Sequence, residues 1–337
     1  MSKLVMLIIL LSFFITPAEA AKYQITELEA TADADSSAHA INNNGDVAGA
    51  VNYSAAVWKY GKLIDIGKLG RESSYANDIN DKGQVVGSTY SVFIPDKAPC
   101  AFIWENGSAK ELGYADRPPA DAYGINNIGQ VVGSSSDRAF LWDAQNGMKS
   151  IGAFKYGPSV AHAINHKGQV VGESDSLACI WQDNKMAALH PLDEMEGSRA
   201  LDINDKGQVV GESYDGTSYG KKQASRACLW EDGKITDLGN LGGTLSYAFA
   251  MNNKGQIVGK SSVSEGITNR DALQAFLWEN GKMVNLNTLI PADSGWILYS
   301  AGDINEKGQI VGTGRYKDNK RAFLLTPCSD DPKCKKP

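Results

Sequence analysis

The residues of this 337-residue chain that could do chemistry are scattered rather than clustered. The four His do not combine with one another and with Cys into a zinc-ligand pattern. His39 and His162 fall in one repeated slot, His166 lies in a turn and His190 near a strand end. There is no Gly-x-x-x-x-Gly-Lys-Ser/Thr phosphate cradle. Asp78 to Gly83 and Asp303 to Gly308 begin like a calcium loop. However, Lys82 and Lys307 stand where a ligand is needed, and Thr89 and Gly314 replace the bidentate Glu. These segments therefore predict tight turns, and the sequence calls for no metal or other cofactor. Asn52-Tyr53-Ser54 and Asn106-Gly107-Ser108 are glycosylation sequons, meaningful only in a eukaryotic secretory pathway. A net charge of −6 without a basic stripe argues against nucleic acid as a partner.

The elements that would position any site are legible through repetition. Ile-Asn-x-x-Gly-x-Val-x-Gly, with small variations, recurs seven times, with its Asn at 42, 80, 126, 165, 204, 252 and 305. An Ala stands four residues before each Asn, and the closing Gly seven residues after it. An Ala-Phe-x-Trp element follows, clearest at Ala101–Trp104, Ala139–Trp142 and Ala275–Trp278, and Asp-Leu-Gly or a variant comes next. Each element is a short Val/Ile/Leu/Phe run bounded by Asn and Gly, which reads as a strand ending in a hairpin. One unit is four strands, A to D. Seven units predict an all-β, seven-bladed β-propeller of four-stranded antiparallel blades.

The ends of the chain support a closed ring. The seventh unit lacks strand D, whereas Tyr23 to Glu29 resembles the strand D segment Lys234 to Gly239. The N-terminal strand is therefore expected to complete the last blade. Residues 1–20 read as a cleavable signal peptide: Lys3, an apolar run from Leu4 to Ile15, then Ala18-Glu19-Ala20 with cleavage after Ala20. The expected layout is a signal at 1–20, one propeller domain at 21–327 and a polar tail at 328–337. A secreted or periplasmic protein follows, with no membrane span after cleavage. Export permits disulfides, and Cys328 and Cys334 are the candidate pair. Cys179 and Cys228 occupy the Phe slot as small buried hydrophobes. The six slot Trp are expected to pack between sheets.

These residues resemble the secreted HAF-type repeat family, which couples Ala-x-x-Ile-Asn-x-x-Gly-x-Val-Val-Gly with His-Ala-Phe-x-Trp. The resemblance runs through the whole chain after the signal. The His slot holds Ser54, Cys100, Arg138, Leu177, Arg226, Gln274 and Arg321, so no role of that His carries over. The resemblance implies an extracellular repeat protein and assigns no chemistry.

Loop lengths then point to one face. A–B and C–D turns are short and uniform. From the closing Gly to the next Ala takes six residues in units one, three and four, but 14 after Gly87 and 16 after Gly211 and Gly259. Function tends to sit on such variable loops of a rigid scaffold. The B–C and D–A loops carry the candidate contacts Trp296, Tyr299, Tyr247, Tyr219, Arg199, Arg71 and Tyr75, besides Tyr90, Phe93, Lys221, Lys222, Glu265, Arg270 and Asp121. Trp296 is the only Trp outside the repeat slot. The expected function is non-enzymatic recognition or scaffolding of a glycan, peptide or surface partner through this face. The alternatives are a carbohydrate-active hydrolase or lyase at the channel mouth and a structural adhesion protein.

Overall fold

A computed structural model describes residues 21–31, 34–91, 98–154, 157–215, 224–264 and 273–328. They form seven four-stranded antiparallel sheets, each of consecutive strands except the last. In blade three, for example, the strands are Ala120–Ile125, Val131–Ser135, Arg138–Asp143 and Gly147–Ser150. In blade seven Trp296–Ile304, Ile310–Tyr316 and Asn319–Pro327 are joined by Tyr23–Glu27, with Tyr23 opposite Pro327 and Glu27 opposite Phe323. The ring closes as the chain ends predict. The expected signal segment, residues 1–20, lies outside the described residues, within which no helix is long and apolar enough to cross a membrane.

Each A strand contacts the A strands on either side, so the A strands line the axis. In all seven blades the repeated Ala pairs with the closing Gly of strand B, from Ala38–Gly49 round to Ala301–Gly312. A β-bulge follows the Ala each time and draws the A-strand backbone over the Gly. A Cβ on any of these Gly would sit 1.9–2.1 Å from a carbonyl oxygen of strand A, so only Gly fits. The Phe slot of strand C lies opposite the same Gly, as Phe102, Phe140, Phe276 and Phe323, or as Cys179 and Cys228. Both Cys are free and buried, as is Cys100.

Apolar residues form seven clusters, each shared by two neighbouring blades. The slot Trp belong to them: Trp58, Trp104, Trp142, Trp181 and Trp230 are buried and Trp278 is half-buried. Burial leaves the indole N–H needing an acceptor; Trp58 donates to the carbonyl of Glu29 at 2.6 Å and Trp230 to that of His190 at 2.8 Å.

Hydrogen bonds tie the blades at the axis. Each repeated Asn accepts through Oδ1 from the backbone N–H groups two and four residues on, as Asn126 does from Ile128 and Gln130 at 3.2 and 3.0 Å. This closes the A–B turn, whose Gly takes a positive φ of 74–91°. The amide is then free to reach outward. Asn42 Nδ2 donates to the carbonyl of Asn80, Asn80 to Asn126, Asn126 to Asn165 and Asn165 to Asn204. Asn204 donates to Asn252, Asn252 to Asn305, and Asn305 back to Asn42 at 3.0 Å. The belt is complete.

Replacing Gly133 by Ala should lower the urea midpoint, with a loss of roughly 1–3 kcal/mol or more from overpacking against the Asp121 carbonyl. Equilibrium unfolding of Gly133→Ala checks this, and an unchanged midpoint would mean that the Ala–Gly approach is not a constraint.

Candidate functional site

Above the seven Ala–Gly pairs, toward the long-loop face, lies a layer built from one A-strand slot and the facing residue of strand B. Its pairs are Ser37–Ala50, Tyr75–Ser88, Asp121–Ser134, Val160–Glu173, Arg199–Glu212, Tyr247–Lys260 and Ser300–Thr313. Four residues expected from the loops, Tyr75, Asp121, Arg199 and Tyr247, thus share one repeat position on the channel wall. This layer is variable where the one beneath it is invariant.

Its side chains connect across blades two to five. Tyr75 meets Tyr90 edge-on at 5.7 Å, and Tyr90 hydrogen-bonds to Asp121. Tyr123, two residues along from Asp121, packs 5.6 Å from His162. The His162 Nε2 lies 3.9 Å from Glu173, and Arg199 bridges Glu173 at 3.0 Å and Glu212 at 3.2 Å. Burial alone would raise the Glu173 carboxyl, yet His162 and Arg199 hold it below its usual range. Burial pushes Asp121 up against the hydrogen bonds from Ser88 and Tyr90. Two atoms of this arc, Asp121 Oδ1 and His162 Nε2, are buried with no hydrogen-bond partner. In blade six Lys260 Nζ lies 5.1 Å above both the Tyr247 and Phe249 rings.

The other expected contacts lie elsewhere. Arg71 is buried and held by Glu111 and by the carbonyl of Leu69, away from the arc. Tyr299 is half-buried at an extra bulge in the last A strand. Trp296 stacks on Tyr316 at 4.9 Å and 11°. With Tyr23, Ile25 and Asp293 this stack lines a cleft of about 410 Å³ beside the closing strand. Tyr219, Phe93, Lys221, Lys222, Glu265, Arg270 and Cys334 lie outside the described residues; Cys328 is disulfide-bonded.

Sequence reading missed Tyr123, Glu173 and Glu212 as site residues and took His162 for a structural variant. The available signal was the slot after each closing Gly, which changes type from blade to blade. It also missed a Ser two residues before the repeated Ala, whose hydroxyl accepts the strand C amide of the preceding blade. Ser74 takes that of Ala55, Ser159 that of Ala139 and Ser198 that of Ala178.

Comparison with known proteins adds the fold and little else. Residues 239–326 match the profile of a family described as "Protein of unknown function (DUF3466)". A search of the curated proteins finds no match. The β-propeller domain of the Trilobed protease from Pyrococcus furiosus is similar, with a TM-score of 0.55 and 10% identity over 87% of this chain and 93% of that one. The extracellular domain of BT4673 from B. thetaiotaomicron gives a TM-score of 0.53 at 8% identity, covering 90% of this chain but 39% of that one. The P. furiosus domain has an open velcro topology; here the N-terminal strand closes the last blade.

Toward the opposite face, one slot before the repeated Ile, three blades carry Asp78, Asp202 and Asp303 where the others have Ala or Gly. Each spends both carboxylate oxygens on amides, Oδ2 reaching the next blade: Asp78 to Ile125, Asp202 to Met251 and Asp303 to Ile41, at 2.7–2.8 Å. Burial raises Asp78 to about 6 and Asp202 and Asp303 to about 7, and the last two also feel the other lumen carboxylates. Raised carboxyls bind protons more readily in the folded state, so their contribution is present at low pH and lost as pH rises through 6–7. The melting temperature should therefore rise as pH falls from about 8 to about 5. Asp202→Asn should be less stable at the low end, because one amide loses its acceptor, and should flatten the slope. Calorimetric melts across that range decide; a wild-type midpoint that falls toward pH 5 would contradict the assignment.

Proposed function

We propose that this protein is an exported, non-enzymatic recognition module that binds its ligand at the long-loop mouth of the channel. The single observation that carries this reading is the variable polar and aromatic layer set directly on an invariant Ala–Gly layer. Tyr75, Asp121, Val160 and Arg199 differ in chemistry although the backbone holds them alike. A scaffold alone would need no such variety, and buried polar atoms left unpartnered cost stability unless something meets them. The binding reading stands ahead of a hydrolase because the facing carboxylates Glu173 and Glu212 are both clamped by Arg199. Export agrees with the N-terminal sequence and with a similar fold in an extracellular domain. A glycan, a peptide or a surface protein presents groups of the required kinds.

A thermal-shift screen of the full chain against oligosaccharides and peptides should find ligands that raise the midpoint by mass action. For such a ligand, Tyr247→Ala and Arg199→Met should each weaken binding about tenfold or more by calorimetry. Unchanged affinity in both variants would remove the mouth as the binding site.

A further inference from the structure

Asp121 is out of keeping with the other charged groups of the mouth. Arg199 is spent on two glutamates, and Lys260 lies over two rings. No described residue forms an ion pair with Asp121. Its Oδ1 is buried and unpartnered, while Ser88 and Tyr90 serve the rest of the carboxylate. Three phenols lie along this stretch of the wall, Tyr75 in the same slot one blade before Asp121. Tyr75 meets Tyr90 edge-on at 68°, and Tyr90 and Tyr123 both feel the Asp121 charge. The Ala122–Gly133 pair lies beneath. Beyond the rings stand His39, 6.4 Å from Tyr75, and His162 beside Tyr123, with Glu173 behind it.

We propose that Tyr75, Tyr90 and Tyr123 form an aromatic box around Asp121 that takes an alkylammonium group of the ligand. A cation gains from several ring faces at once and from a desolvated carboxylate with no other counter-charge. A neutral hydroxyl would satisfy Oδ1 but would make no use of three ring faces. This rests on the long-loop mouth being the binding face, and it narrows the ligand there to a cationic amine, either free or on a lysine side chain.

Titration of the full chain with n-butylammonium and tetramethylammonium, with tert-butanol as the uncharged control, tests it by NMR at low salt. A short peptide with one lysine, against the same peptide acetylated on that lysine, separates the two sources. The expected result is binding of the ammonium ions but not the alcohol, weakened about tenfold or more in Asp121→Asn and in Tyr75→Leu. Asp121→Asn should keep or raise the unfolding midpoint, because it removes an unpaired buried charge; if it fails to fold, Tyr75→Leu decides. No ammonium binding by the wild type, or equal binding by Asp121→Asn, overturns the box. If a screened ligand still depends on Tyr247 in that case, the mouth survives and only its ligand class falls. If neither dependence is found, both fail.

Discussion

An asparagine side chain carries an acceptor and a donor at a fixed distance, and this propeller uses both ends seven times. The oxygen closes the A–B turn of its own blade, and the nitrogen reaches the carbonyl of the next. Because each carbonyl accepted is that of the neighbouring belt Asn, the bonds form a circuit with no first member. These Asn are 3–5% exposed, so an unmade bond would leave a buried amide or carbonyl at full desolvation cost. The belt fixes how close the A strands come at one end of the channel. The Ala–Gly pairs, which admit no Cβ on strand B, fix it a few residues further along.

This division of labour explains what could be read in advance. Positions with the same role in every blade repeat, so Asn, Ala, Gly and Trp announced blade number, strand order and even the closing strand. Their direction did not show: nothing in Asn-x-x-Gly says that the amide points to the next blade, or that a Ser before the Ala joins the blades as well. Asp78 and Asp303 stood out as failed calcium ligands, whereas the fold uses them as acceptors for amides of adjacent blades.

The site was legible in part and for an indirect reason. Tyr75, Asp121, Arg199 and Tyr247 were singled out as residues of the D–A loops, yet what unites them is one slot of the channel wall. Glu173 and Glu212 lay in the facing slot, outside any loop, and linear spacing could not pair them with Arg199. Arg71 belongs to a loop but pairs with Glu111 on strand D of its own blade. Trp296, unique in sequence, stands apart in the cleft at the ring closure. The protein thus separates its tasks by layer, with identical residues where blades must match and different ones where a ligand would be read.

The belt is tested most directly by calorimetric unfolding of Asn→Asp variants at pH 8, one at an interior junction, Asn126→Asp, and one at the seam of the ring, Asn305→Asp. Each keeps the turn-closing oxygen and loses the donor to the next blade. A closed circuit predicts comparable losses at both, about 1–3 kcal/mol. A clear loss at Asn126 with none at Asn305 would contradict it, because the ring would then be open at its seam.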